Sequence, residues 1–317
     1  MGCLRVVRTV AIAVLFPGQG TQVPGMGEVW RASSAWDVVS RAESVLGQGL
    51  GHLLLDADAD DLARTREAQL AVLLTSLMAW EAVRAVLDEP PVAFAGHSLG
   101  QITALIASGA LSLEDGVLLA AERADCTQAA ADARPGRMAA LLGADLEQAE
   151  AAAAGATTGG RTCWVANDNA PGQVVIGGTP KGVESAAGRA RDLGVKRVMP
   201  LKVGAAFHTP LMAPAAAQLL DHMATTPFAA PAAPVVANTD AAAHGGADGW
   251  PERLSQHLVS PVRWRESLET LAALGARTFL EVGPGAVLSG LARRTLSGVT
   301  TRNVAAPSDV PLLLEVA

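Results

Sequence analysis

The chain of 317 residues has no tyrosine, and only five phenylalanines and six tryptophans. So thin a supply of aromatic rings argues against a stacking platform for single-stranded nucleic acid. Basic residues gather into no run, and 24 of them against 31 acidic ones leave a net charge of −7. The electrostatic footprint of a nucleic-acid binder is therefore missing. Cysteine is scarce as well. Cys3, Cys126 and Cys163 lie far apart with no CxxC pair, which excludes a disulfide framework and a thiolate zinc centre and fits reduced thiols in the cytoplasm. No segment approaches the ~20 apolar residues of a membrane span. Arg5 and Arg8 precede the short apolar run Val10 to Phe16, but Pro-Gly-Gln-Gly follows where a signal peptide needs a small-residue cleavage site. Met1-Gly2-Cys3 lacks the downstream Ser or Thr of a myristoylation signal.

What is present is half hydrophobic and only 17% charged, the composition of a packed chain and not a disordered one. Short β-branched runs alternate with longer Ala- and Leu-rich helical stretches, which predicts α/β layers. Thr9 to Phe16 reads as a buried first strand, ending at Pro17-Gly18-Gln19-Gly20. Residues 67–87 form a helix apolar around most of its circumference, as expected of one buried inside a large domain. The run Pro91 to Ala95 is a strand, and a helix starts near residue 101. Residues 137–201 follow a strand-helix-strand-strand-helix-strand order, that of a ferredoxin-like unit. In that reading Asn167 to Gly172 is a turn-rich connection between strands Cys163 to Ala166 and Gln173 to Ile176. We therefore expect a small α+β subdomain, 137–201, inserted into a larger α/β domain of residues 1–136 and 202–317. The Ala/Pro/Gly-rich stretch Ala229 to Trp250 reads as a surface connection, and Thr278 to Val282 as another buried strand.

Gly96-His97-Ser98-Leu99-Gly100 matches G-x-S-x-G between an apolar strand and a helix, the context a nucleophile elbow requires. In such a turn the serine hydroxyl stands above the sheet edge and the next amide, here that of Leu99, faces a developing oxyanion. The alternative is a tight turn whose serine only caps the helix. A serine hydroxyl needs a base, and the six histidines are His52, His97, His208, His222, His244 and His257. His208 lies in a loop with a glycine and a proline, just after a predicted strand, and is preferred; a structural histidine is the competing reading. His222, in a helical pattern, reads as surface.

The motifs Phe16-Pro-Gly-Gln19-Gly-Thr-Gln22, Gly96-His97-Ser98-Leu99-Gly100, Arg123, Asn169-Ala-Pro-Gly-Gln173, Phe207-His208-Thr209, Ser260-Pro-Val-Arg-Trp264 and Glu281-Val-Gly-Pro-Gly285 occur in this order across residues 16–290. Together they resemble the malonyl-CoA:acyl-carrier-protein transacylase family, which includes the acyltransferase domains of polyketide synthases. The resemblance implies a hydrolase-like α/β domain with a central, mostly parallel sheet, interrupted by a ferredoxin-like subdomain. It implies Ser98 as nucleophile, His208 as base and acid, and the amides of Gln19 and Leu99 as the oxyanion hole. Arg123 would pair with the malonyl carboxylate in the two-pronged geometry of a guanidinium; without the resemblance, Glu122 and Asp125 make it a helix-surface arginine. A main-chain carbonyl orients the family's imidazole, and His257 occupies that position here, with Gln256 one residue away. His97 and Asn169 would line the acyl site.

Gln101 stands where the family commonly has Glu, and Ala170 where it commonly has Ser. Phe207 resembles malonyl-selective members, in which a bulky ring fills the space of an α-methyl group. The implied reaction is a ping-pong transfer from malonyl-CoA to an acyl carrier protein, with no metal or bound cofactor, by a cytoplasmic monomer in fatty-acid or polyketide synthesis. Two rivals share the elbow: a hydrolase that clears acyl groups from carrier proteins, and a non-catalytic carrier-docking module. Transfer of a different acyl group is a third possibility. Lys181, Arg189, Arg191, Lys196, Arg197 and Lys202, with Arg293 and Arg294, could flank the cleft for an acidic carrier.

Overall fold

The computed structural model describes residues 11–314. Its elements are β1 (Ile12–Phe16), α1 (Asp37–Leu46), α2 (Gly51–Leu55), α3 (Thr65–Arg84), β2 (Ala93–Gly96), α4 (Gly100–Ala107), α5 (Leu113–Ala133), β3 (Arg137–Leu142), α6 (Leu146–Ala156), β4 (Cys163–Ala170), β5 (Gln173–Gly178), α7 (Pro180–Asp192), β6 (Arg197–Pro200), α8 (Ala213–His222), β7 (Val235–Val236), β8 (Ala243–His244), α9 (Trp250–Val259), β9 (Val262–Arg263), α10 (Trp264–Ala273), β10 (Thr278–Val282), α11 (Val287–Thr295), β11 (Thr300–Val304) and α12 (Pro311–Leu314). Thr9, Val10 and Cys3 lie outside the described residues, as do the other N-terminal features named above.

The larger sheet has the order β11-β10-β1-β2-β7-β8, parallel up to β7 with β8 antiparallel at the edge. Ala13, Val14, Leu15 and Phe16 of β1 are fully buried, as expected of a central parallel strand covered on both faces. Phe16 pairs with Gly96, and Leu15 with Glu281. The loops after β1, β2 and β10 therefore leave the sheet side by side at its carboxyl edge, where open α/β sheets build their sites. Helix α3 is buried from Ala68 to Trp80, and its apolar circumference follows from that position.

The second sheet has the order β6-β3-β5-β4-β9. The first four strands with α6 and α7 form the ferredoxin-like order, all antiparallel. Helix α6 starts at a reciprocal cap between Asp145 and Gln148, and α7 at the Thr179 side chain with Pro180 behind it; both devices satisfy orphan amides of the first turn. One face of the sheet packs Leu141, Val174 and Ile176 against alanines of α6 and α7. The opposite face carries Met138, Ala140, Ala166 and Val175, with Val203 and Phe207 packed against them. Strand β9, from the C-terminal part of the chain, pairs in parallel with β4 at Asn167 and Asp168.

Two stretches differ from the sequence reading. Asn167 to Ala170 is not a connection: β4 runs through Ala170 and only Pro171-Gly172 turns. Its polar side chains are tolerated because irregular register between Val165 and Asn167, and between Asp168 and Ala170, re-aims them, and because they find partners. The Asp168 carboxylate accepts from Arg265 at 2.8 Å. Nor is Ala229 to Trp250 a surface connection. Val235 and Val236 pair with β2, and Ala237, Asn238 and Trp250 are fully buried. Small side chains there let the segment pack closely, and turn-like composition hid a sheet strand. Among the described residues, no helix is long and apolar enough to cross a membrane.

Candidate active site

The turn after β2 is built by close backbone approach. A Cβ on Gly96 would lie 1.8 Å from the Gly100 carbonyl oxygen, and one on Gly100 would lie 2.2 Å from that of Phe16. Only glycine allows strand, turn and helix to pass this closely. Ser98 between them has φ of 55°, a left-handed conformation rare for a residue with a side chain and concentrated at functional sites.

Ser98 Oγ lies 2.8 Å from His208 Nε2. His208 Nδ1 lies 2.8 Å from the main-chain oxygen of His257. A carbonyl can only accept, so Nδ1 carries the proton and Nε2 presents its lone pair to the serine hydroxyl. The orienting carbonyl is thus that of His257 and not of Gln256. His208 has φ of 59° and is nearly fully buried. Burial, and then the Arg123 charge, push its pKa down to about 3, against the opposing effect of the His257 carbonyl. The His257 ring stacks on it at 4.7 Å and is held neutral by burial and by the same neighbours.

Arg123, on α5, is 4% exposed. One guanidinium nitrogen donates to Ser98 Oγ at 3.0 Å and another to Gln69 Oε1 at 2.5 Å. Burial lowers its pKa to about 10, so it stays charged at neutral pH. The helix-surface alternative fails because Glu122 and Asp125 face elsewhere: Glu122 accepts from Gln218 and Asp125 pairs with Arg66. Among the described residues Arg123 pairs with no carboxylate, and a buried unpaired guanidinium is chemically suited to an anionic group.

The His97 ring is engaged elsewhere than on Ser98, its Nε2 donating to Asn169 Oδ1 at 2.8 Å and its ring meeting Trp264 edge-on. Burial lowers its pKa and the Asn169 bond opposes this. Gln19 sits in the loop after β1, which folds against the serine turn: a Cβ on Gly18 would lie 2.5 Å from the His97 carbonyl oxygen. Among the described residues, the Gln19 and Leu99 amides donate to no protein acceptor, leaving both available to an oxyanion.

These groups border a cavity of about 170 Å³ that includes Gln19, His97, Ser98, Arg123, Asn169, Phe207 and His208. Leu99 and His257 are not in this lining; His257 reaches His208 through its main-chain oxygen. Sequence reasoning missed Gln69, Met138, Asn167 and Val175 in its lining, and Asn238 behind the serine. Gln69 carried a signal: an amide inside a helix that is apolar around most of its circumference must find a partner when buried. Asn238 carried none. Of the basic residues, Lys202 lies between cavity-lining Leu201 and Val203, and Arg197 is exposed on the edge strand β6. Arg189 instead lies over Gly155 of α6, on the helical face of the small sheet. Among the described residues no three His, Cys, Asp or Glu side chains gather as a metal site.

Residues 14–311 match the family of acyl transferase domains. The chain is 39% identical over 306 residues to the malonyl CoA-acyl carrier protein transacylase of Bacillus subtilis, covering 96% of each. It is 35% identical to the protein of the same name from Escherichia coli, covering 96% of this chain and 99% of that one. Among solved structures, a malonyl-transacylase in complex with a type II PKS acyl-carrier protein superposes with a TM-score of 0.92 at 32% identity, covering 96% of this chain and 99% of that chain.

Proposed function

The chain belongs to the acyl transferase family, and on that premise we propose that it moves a malonyl group from coenzyme A to the phosphopantetheine thiol of an acyl carrier protein, through an ester on Ser98. The observation that carries this is the position of Ser98 Oγ, at once 2.8 Å from a neutral imidazole nitrogen and 3.0 Å from a buried guanidinium. The first contact serves acyl transfer of any kind. The second selects an acyl group with its own negative charge.

Malonyl-CoA enters with its carboxylate on Arg123. His208 Nε2 takes the Ser98 proton as Oγ attacks the thioester carbon. The carbonyl oxygen becomes an oxyanion held by the Gln19 and Leu99 amides. The C–S bond then breaks, and the coenzyme A thiolate leaves with the proton from His208. The carrier's thiol next gives its proton to His208 and attacks the ester, and Ser98 departs as its oxygen regains the proton. Coenzyme A and phosphopantetheine are substrates in this cycle. Carboxylate pairing also neutralises the Arg123 charge that depresses His208, so the correct donor strengthens its own base.

In this reading residues 1–136 with 202–317 carry the reacting groups, while 137–201 supplies Asn169 and the apolar wall of Met138 and Val175. Phe207, packed on that wall, limits the space beside the malonyl α-carbon. The test is intact-mass analysis after a brief incubation with malonyl-CoA. One malonyl adduct is expected, absent in Ser98→Ala and discharged onto added holo-carrier protein. A normal adduct in Ser98→Ala overturns the nucleophile, and equally fast loss of the adduct as free malonate without carrier makes the protein a hydrolase.

A further inference from the structure

The backbone ladder between β2 and β7 stops at Ala95 and Val236, short of the turn that carries Ser98. Beyond that point the Asn238 side chain takes over. Its Nδ2 donates to the Gly96 oxygen at 2.9 Å, and the Ser98 N–H donates to its Oδ1 at 2.9 Å. One carboxamide therefore gives residues 96 and 98 the donor and acceptor that a neighbouring strand would supply. Asn238 is itself fully buried, and its N–H donates to Gln101 Oε1 at 2.8 Å, in the first turn of α4. The strand before Ser98, Ser98 itself and the helix after it are thus tied to one side chain.

The geometry points to Asn238 as a positioning residue for the nucleophile, an inference that rests on the reading of Ser98 given above. A side-chain residue at φ of 55° persists only where its surroundings over-determine it, and Asn238 is the group that does so here. By taking the Ser98 N–H it also fixes the orientation of that peptide. The following amide, Leu99, is then the one left for the thioester oxygen. Asn238 does not border the acyl cavity, whose lining includes Arg123 and Phe207. Its loss therefore acts on the chemical step and leaves substrate binding intact.

The test uses the full chain with Asn238→Ala, Asn238→Asp and Gln101→Leu. It reads the rapid-quench rate of ester formation, KM for malonyl-CoA, thermal unfolding, and inactivation by phenylmethanesulfonyl fluoride, which reports the serine without needing Arg123. Asn238→Ala should slow ester formation by ~100-fold, the scale of a lost oxyanion-hole donor, with KM within about twofold and sulfonylation slowed in parallel. Asn238→Asp keeps the acceptor for the Ser98 N–H but loses the donor to Gly96, and should retain an intermediate rate. A wild-type rate in Asn238→Ala, or a raised KM at unchanged kcat, overturns the inference. If Asn238→Ala does not fold, Asn238→Asp and Gln101→Leu decide the matter: kcat lowered at unchanged melting temperature supports the clamp, and wild-type kcat in both overturns it. Peptide mapping of the wild-type adduct separates the two readings. An ester elsewhere than Ser98 removes the nucleophile assignment, whereas an ester on Ser98 formed at full speed in Asn238→Ala removes only the clamp.

Discussion

Arg123 donates a hydrogen bond to the hydroxyl oxygen of Ser98 at 3.0 Å, so a buried cation and the serine hydroxyl are in direct contact before any substrate arrives. In the proposed reaction, a malonyl carboxylate drawn to the guanidinium would thereby lie within one acyl length of the serine.

Replacing Arg123 with Ala should therefore cost malonyl loading ~2–5 kcal/mol, the usual effect of removing one partner of a buried charge pair. Acetyl loading, which has no carboxylate to pair, should change far less. Arg123→Lys should restore little, because an ammonium cannot contact Gln69, Ser98 and a carboxylate in one plane. Rates of adduct formation with the two donors are the measurement; equal losses for both would make Arg123 a packing residue.

Phe207 precedes the base and packs against the apolar wall of the small sheet. Phe207→Ser opens space beside the α-carbon and should raise methylmalonyl relative to malonyl loading by ~10-fold, the scale of one methylene. Competition between the two donors, read by mass, measures the ratio. An unchanged ratio would put the α-substituent elsewhere in the cavity.

Burial keeps His208 and His257 below the ordinary histidine range when folded. The unfolded chain then binds more protons as pH falls below ~6.5, and stability declines with falling pH at a slope approaching ~1.4 kcal/mol per unit for each group. For His208 the loss continues toward its folded value of about 3. Melting temperatures should accordingly fall between pH 7.5 and 5, while ester formation at saturating acetyl-CoA, which leaves Arg123 charged, should show no acid limb centred near 6.5. A level melting temperature across that interval would contradict the first expectation, and such a limb the second.

Much of this was legible because it rests on local backbone demands. Gly96 and Gly100 announce a turn that only glycine permits, and an apolar strand before it and a helix after it fix its setting. Strand-helix periodicity likewise exposed the ferredoxin-like order. Asn167 to Ala170 defeated that reasoning: composition says turn, but pairing with both β5 and β9 and burial of Asp168 against Arg265 hold it extended. Tertiary contacts also decided Val235 and Val236, whose short run among alanines and prolines carries no periodicity. Asn238 was out of reach for the same reason, since it acts through a partner more than fifty positions away, whereas Gln69 showed that it needed a partner but not that the partner was Arg123.

The pairing of β9 with β4 has a last consequence. Asn167, which lines the acyl cavity, pairs with Val262, and Asp168 with Arg263, and the Arg265 ion pair lies beside this seam. At that wall, widening the pocket for a branched donor would have to break this ladder. If that wall holds, choice among acyl groups would rest on the volumes of a few side chains, which is the kind of selectivity that single substitutions can retune while the scaffold stays as it is.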